Sequence, residues 1–198
     1  MVYVNFVSRV NWRHKGVSSI AQTMGKITLI TGGARSGKSA HALALAGGSG
    51  EHARHAAFIA TAEPLDDEMR ARIAHHRASR PRDFETIEEP VKITEAIQAL
   101  DGRATIAIID CLTLWVSNLM QAGMSDDEIF ACVENLAQAL ERAPFASVIV
   151  TGEVGSGIVP DHPTARRFRD LLGWTNQKIA ARADSVLMMV AGLPMRVK

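Results

Sequence analysis

Cysteine is scarce in this chain of 198 residues, which holds only Cys111 and Cys132. A disulfide framework is therefore excluded as the basis of the fold. Both thiols sit in apolar stretches and read as small core fillers of a reduced, cytoplasmic protein. A basic surplus is missing as well: 22 Lys and Arg stand against 21 Asp and Glu, for a formal net charge of +1. A protein that binds nucleic acid by neutralising phosphates would carry more, so no nucleic-acid partner is expected. No apolar run approaches the roughly 18 residues needed to span a bilayer, and no membrane span is expected. Repeats, low-complexity tracts and a convincing linker are also lacking. What remains is ordinary globular material. Hydrophobic residues make up 47% and charged residues 22%, which rules out disorder and fibrous architectures. A chain of this length forms one domain with a full core.

Acid is absent from the first quarter of the chain, where Glu51 is the first acidic residue. Met1 to Gly25 carries Arg9, Arg13 and Lys15, and these charges interrupt any apolar stretch that a secretory signal would need. A basic, Ser-containing leader leaves a transit peptide open. The plainer reading is a misplaced start, with Met24 as the true first residue, because a globular pattern begins directly after it. Residues 1–25 are thus expected to be a poorly packed extension, and residues 26–198 the working domain.

From Lys26 onward, short β-branched runs alternate with helical patterns. The runs are Ile27 to Ile30, Ala57 to Ala60, Ile106 to Ile109, Val148 to Val150 and Ser185 to Val190. Each is nearly continuous in apolar residues, as expected of strands buried on both faces of a parallel sheet. Between them, helix is expected over Ser39 to Ala46, Asp66 to Arg77, Val91 to Leu100, Leu112 to Leu119, Asp126 to Arg142 and Thr164 to Ala183. This alternation predicts a single α/β domain of the P-loop NTPase type, with a doubly wound, mostly parallel sheet.

Gly32-Gly33-Ala34-Arg35-Ser36-Gly37-Lys38-Ser39 matches G-x-x-x-x-G-K-[ST] between a strand and an Ala-rich helix. The glycines let the backbone wrap with its N–H groups inward, forming an anion nest at a helix N-terminus. Lys38 then reaches the outer phosphates of a nucleotide, and the Ser39 hydroxyl ligates Mg²⁺. Asp110 ends the run Ile106 to Ile109, at the carboxyl edge where ligands of open α/β sheets sit. It is read either as a second Mg²⁺ ligand or as a plain cap of the following helix. Glu153 occupies the equivalent place after a later strand, as a functional acid or a solvated one.

Asp66-Asp67-Glu68 opens the helical stretch that ends in His75-His76, and acids suit a helix N-terminus. Leu65, Met69, Ile73 and His76 share one stripe, which makes His76 the packing histidine. His75 lies about 100° away from that stripe and is expected to be the accessible one. Two adjacent histidines on a helix cannot face one metal, so zinc is not expected. Histidine is, however, a competent nucleophile toward phosphorus, and its neutral imidazole is available near pH 7. A P-loop together with His75 suggests nucleotidyl transfer through a phosphoramidate. His75 is expected to point toward the P-loop cleft, at a distance that closes only on nucleotide binding.

These motifs resemble the bifunctional adenosylcobinamide kinase / adenosylcobinamide-phosphate guanylyltransferase family of cobalamin biosynthesis. The resemblance is carried by Thr31 to Ser39, Ile59-Ala60-Thr61-Ala62, Leu65 to Met69, Arg72 to Arg77, Arg80-Pro81, Thr86 to Pro90, Asp110 to Thr113, and Glu153 to Pro160. Arg169-Asp170, Gly173 and Asn176-Gln177 extend it to nearly everything after Lys26, whereas the leader is foreign to it. The resemblance implies a P-loop domain assembled as a homotrimer. It implies phosphorylation of adenosylcobinamide by ATP or GTP, then transfer of GMP from GTP to the new phosphate. The guanylylated histidine maps onto His75. Nucleotide contacts map onto the P-loop, Thr61, Ala62, Glu63, Ser79, Arg80, Pro81, Arg82, Glu88 and Asp110. Without the resemblance, Glu88 reads as a solvated acid, and Arg80 and Arg82 as a basic turn. Guanine preference has no local signature, because the Asn-Lys-x-Asp motif of switch GTPases is absent. The competing readings are a simple P-loop kinase with an inert His75, and a regulatory nucleotide-dependent ATPase.

Overall fold

The computed structural model describes residues 25–47, 55–78 and 80–198. The expectation of a poorly packed leader therefore falls outside the described residues, apart from Gly25. Seven strands form one sheet: β1 (Ile27–Gly32), β2 (Ala56–Ala60), β3 (Glu85–Glu88), β4 (Ile106–Asp110), β5 (Ala146–Val150), β6 (Ser185–Val190) and β7 (Leu193–Arg196). Their order is β3-β2-β4-β5-β1-β6-β7, and every neighbouring pair is parallel except β6 with β7. Six helices connect them: α1 (Lys38–Gly47), α2 (Asp67–Ala78), α3 (Ile93–Gln98), α4 (Leu112–Gln121), α5 (Asp126–Arg142) and α6 (Pro163–Arg182).

All five expected strands and all six expected helices are present. The two edge strands carry no apolar run and so gave no signal. Ile87 is the one apolar residue of β3, and β7 is exposed throughout and contains Pro194. An edge position tolerates both, since proline removes a ladder donor that an edge strand does not need. A two-residue turn, Ala191-Gly192, with positive φ at both residues joins β7 to β6, as tight hairpins require.

Alternate residues of the central strands feed opposite faces of the sheet. Leu29, Ile59, Ile109 and Ile149 join the larger cluster, with Ile93 and Ile97 of α3, Trp115 and Leu119 of α4, Leu136 of α5 and Leu171 of α6. Ile30, Phe58, Ile108 and Val148 join the smaller one, which contains Ala42 and Ala46 of α1. Small side chains let α1 lie close over β1, β4 and β5. The two layers are unequal. Four helices seal one face, while α2 buries no residue at all.

The longer helices have clear starting devices. Ser125 and Glu128 form a capping box at α5, and the acids Asp126, Asp127 and Glu128 suit its positive end. Pro163 stands at the start of α6, and the His162 imidazole accepts the Thr164 N–H. These two helices are cross-linked by Glu134, which binds both Lys178 and Arg182.

Ile149 lies in the middle of β5 and has no exposed surface. Truncating it to Ala should lower stability by about 2–5 kcal/mol, through lost transfer energy and a residual cavity. Urea unfolding measures this, and a change under about 0.5 kcal/mol would contradict the central placement of β5.

Candidate active site

The sheet's parallel strands all end at one edge, and the site residues gather there. The glycine loop leaves β1 with its backbone in unusual conformations: φ is +144° at Gly32, +56° at Arg35 and +94° at Gly37. A Cβ at Gly32 would lie 2.6 Å from the Met189 carbonyl oxygen, so only glycine fits there. Lys38 Nζ donates to the carbonyls of Gly32 and Gly33, at 2.9 and 2.6 Å. Its pKa is lowered, chiefly by burial, and this is opposed by Cys111 and Asp110. Ser36 is buried, and its hydroxyl has no hydrogen-bond partner; the same holds for Thr31 Oγ1 at the end of β1. Gly33, Ala34 and Arg35 are exposed. Unsatisfied buried donors beside a ring of backbone N–H groups suit an anionic ligand.

Asp110 is the charge around which the basic residues arrange. It supports the charged forms of Lys38, His76 and Arg80, each of which burial pushes the other way. The helix-cap reading of Asp110 finds no support. Cys111 is the N-cap of α4, without a side-chain cap bond. Burial, then Asp110, pushes the Cys111 thiol up to about 11.

Thr61 holds this acid in place. Its hydroxyl accepts the Cys111 N–H and donates to the Cys111 carbonyl, both at 2.8 Å. The Thr61 N–H donates to the Asp110 carbonyl, and its own carbonyl accepts from Asn118 Nδ2. Every polar group of Thr61 is engaged and none of its surface is exposed. Its contribution is positional. Asn118 also donates to the Pro90 carbonyl, tying the loops after β2 and β3 together. Ala62 and Glu63 follow as half-exposed residues of the first loop.

Arg80 lies with its guanidinium 4.0 Å above the ring of Phe58, a cation–π contact. Its Nε and Nη1 are buried and make no hydrogen bond. Burial lowers its pKa, against the fields of Asp110 and Glu88. Pro81 is half-buried beside it and Arg82 is exposed. Ser79 lies outside the described residues. Glu88, at the end of β3, is engaged by Arg77 of α2. The basic turn is therefore not uniform: Arg80 is committed to the cleft, and Arg82 to solvent.

On α2, Met69, Ile73 and His76 form the half-buried stripe, whereas Leu65 is exposed and precedes the helix. His75 is exposed, as its rotation off the stripe requires. Burial lowers the pKa of His76, against Asp110 and together with Arg72, His75 and Arg80. The two rings stand perpendicular, with centroids 6.3 Å apart. The pair thus follows the expected helix phase, with His76 packed and His75 accessible. The field of Asp110 acts on the half-buried His76, while His75 is exposed. Met69, Ile73 and His76 mark the less exposed face of α2, and Arg77 holds its last turn to Glu88.

Residues that sequence reading left without a role carry the scaffold. Thr113 Oγ1 accepts the Gly152 N–H at 2.6 Å, and a Cβ at Gly152 would lie 2.9 Å from that oxygen. Asn176 accepts the Thr151 hydroxyl and donates to the Gly152 carbonyl. Their partners are groups distant in sequence, which leave no local pattern.

No group of three or more His, Cys, Asp or Glu suited to a metal occurs among the described residues. Mg²⁺ does not need one. It takes one or two protein oxygens and completes its shell with phosphate and water. The Ser39 hydroxyl and the Asp110 carboxylate are donors of that kind.

Fold and site together define a P-loop NTPase-type α/β domain. The chain belongs to the cobinamide kinase / cobinamide phosphate guanyltransferase (CobU) family, whose model matches residues 28–197. The bifunctional adenosylcobalamin biosynthesis protein CobU of Escherichia coli (strain K12) is 41% identical over 182 residues, covering 86% of this chain and 98% of that protein. The protein of the same name from Salmonella typhimurium is 42% identical with the same coverage. The bifunctional adenosylcobalamin biosynthesis protein CobP of Pseudomonas aeruginosa is 41% identical over 172 residues, covering 86% of this chain and 96% of that protein. No helix among the described residues is long and apolar enough to cross a membrane.

Replacing Thr61 with Val keeps its shape and removes the hydroxyl. The Cys111 N–H is then left without a partner, which should cost about 1–3 kcal/mol in urea unfolding and slow nucleotide-dependent turnover in the folded fraction. Full stability and full activity would show that Thr61 does not hold Asp110.

Proposed function

We propose that this protein phosphorylates the aminopropanol hydroxyl of adenosylcobinamide with ATP or GTP, and then transfers GMP from GTP to the new phosphate. The products of the second reaction are adenosylcobinamide-GDP and pyrophosphate. The observation that carries the reading is the pairing of a complete P-loop with the acid-capped helix that ends in His75 and His76, in a chain of this family. A plain kinase needs the first element and has no use for the second.

In the kinase step the backbone N–H groups of Gly33 to Lys38 cradle the phosphates, and Lys38 exchanges its loop carbonyls for phosphate oxygens. Ser39 and Asp110 are the residues that would hold Mg²⁺, which when bound neutralises charge on the phosphates. The unpartnered Nε and Nη1 of Arg80 are donors suited to a phosphate or guanine oxygen. In the guanylyl step an imidazole nitrogen of His75 attacks the α-phosphorus of GTP, and pyrophosphate leaves with the electron pair of the broken P–O bond. The GMP then passes from histidine to the phosphate of the acceptor, which restores the imidazole. Because His75 stands on the exposed side of α2, the helix must turn or shift inward for this step. Closure on nucleotide binding supplies such a motion in many transferases. Assembly as a homotrimer and residence in the cytoplasm belong to the same reading, as do Ala62, Glu63, Ser79, Pro81, Arg82 and Glu88 as nucleotide contacts.

Labelling tests the assignment. Incubation with α-labelled GTP should give an acid-labile, alkali-stable protein adduct, and γ-labelled GTP should give none. His75→Ala should lose the adduct and retain phosphorylation of adenosylcobinamide. His76→Ala should be less stable and retain the adduct. An adduct that survives in folded His75→Ala and disappears in His76→Ala would reverse the two roles. Lys38→Ala should lower both activities by at least about 10²–10³-fold, as removal of a preorganised charge does. No adduct in the unsubstituted protein would leave the simple kinase. Sedimentation or light scattering should give three times the chain mass of 21.4 kDa.

A further inference from the structure

The strand order sets Asp110 one strand away from the P-loop. Between β4, which ends in Asp110, and β1, which enters the P-loop, lies β5. The first acid beyond β5 is Glu153, and the Glu153 N–H donates to the Gly32 carbonyl at 3.1 Å. The same carbonyl accepts from Lys38 Nζ. Glu153 is thus joined directly to the first glycine of the loop. Its segment is held rigidly: Thr113 fixes the Gly152 N–H, and Asn176 fixes Thr151 and the Gly152 carbonyl. One carboxylate oxygen, Oε1, accepts the Gly155 N–H at 2.9 Å, which orients the side chain within its own turn.

The residues that follow Glu153 are unusual for a loop beside a P-loop. Ile158 is 97% exposed, Val159 55% and Val154 37%. Three apolar side chains facing water on one short segment mark a contact surface. The proposed acceptor, a corrinoid with broad apolar faces and a reactive hydroxyl on a side arm, matches a surface with apolar residues around a single acid.

We propose that Glu153 is the general base of the kinase step, and that the segment it anchors, through Val154, Ile158 and Val159, receives the acceptor. The inference rests on the bifunctional reading given above. In the step, the acceptor hydroxyl oxygen forms a bond to the γ-phosphorus. The bond from that phosphorus to the β,γ-bridging oxygen breaks, and its electron pair leaves with the nucleoside diphosphate. The hydroxyl proton passes to the Glu153 carboxylate and from there to water. Guanylyl transfer attacks with an imidazole and has no use for this base, so the two activities separate at Glu153.

Glu153→Gln is the test. The amide keeps an oxygen to accept the Gly155 N–H and loses the basicity. Steady-state phosphorylation of adenosylcobinamide should fall about 10²–10⁴-fold in kcat, while the histidine–GMP adduct still forms from α-labelled GTP. Ile158→Ser should raise the KM for adenosylcobinamide and leave that for the nucleotide within twofold. Phosphorylation by Glu153→Gln at the unsubstituted rate overturns the proposal, and so does equal loss of phosphorylation and adduct. An unchanged KM for adenosylcobinamide in Ile158→Ser overturns the acceptor surface. Failure of the unsubstituted protein to phosphorylate adenosylcobinamide would instead overturn the functional reading, and this proposal with it.

Discussion

Parallel strands that stop together leave a row of backbone N–H and carbonyl groups with no further strand to satisfy them. Such groups cost free energy if they are buried without partners. Here helices behind the sheet supply the partners from their side chains. Asn118 of α4 takes the carbonyls of Thr61 and Pro90, and Asn176 of α6 takes that of Gly152. Thr113 takes the Gly152 N–H, and Thr61 closes both backbone groups of Cys111. Each bond satisfies a strand end and also fixes a loop. The segments so fixed are the ends of β3 and β4, which carry Glu88 and Asp110, and the loop that carries Glu153. The site is rigid because the sheet's edge had to be satisfied.

Rigidity is confined to one side of the molecule. The face sealed by α3, α4, α5 and α6 contains most of the core, and α2 contributes nothing to it. That helix is held by its own capping and by exposed ion pairs, Arg70 with Asp67 and Arg77 with Glu88. Exposed pairs of this kind contribute about 0–1 kcal/mol each. Elements secured this weakly are in general the ones that open or shift most readily. Here α2 is also the element with the histidines. In the proposed guanylyl transfer, the peripheral position of α2 would let His75 approach the α-phosphorus.

The electrostatics point the same way. Lys38, Arg80 and His76 share the field of Asp110, with Glu88 also acting on Arg80. Burial weakens the charged forms of Lys38, His76 and Arg80, and the neighbouring acidic groups compensate only in part. In the proposed reactions, a polyphosphate at the glycine loop would supply the missing negative charge. The unsatisfied donors of Ser36 and Arg80 lie in the same region. Binding of the proposed nucleotide would offset both the unbalanced charge and the unsatisfied donors.

The alternation of apolar runs and helical patterns in the sequence determined the α/β class, the five inner strands and all six helices, because burial on both faces forces continuous apolar runs. The glycine loop was legible for a related reason: its chemistry depends on backbone conformation, and only a fixed spacing of Gly, Lys and Ser produces it. The rotation between His75 and His76 also follows from helix geometry alone. Strand order did not follow, and so neither did the insertion of β5 between Asp110 and the P-loop. Nor did the burial of Arg80 over Phe58 or the engagement of every polar group of Thr61. Each of these depends on which distant segments meet. A local pattern records how much of a residue is buried, but the partner that buries it is chosen only when the sheet closes.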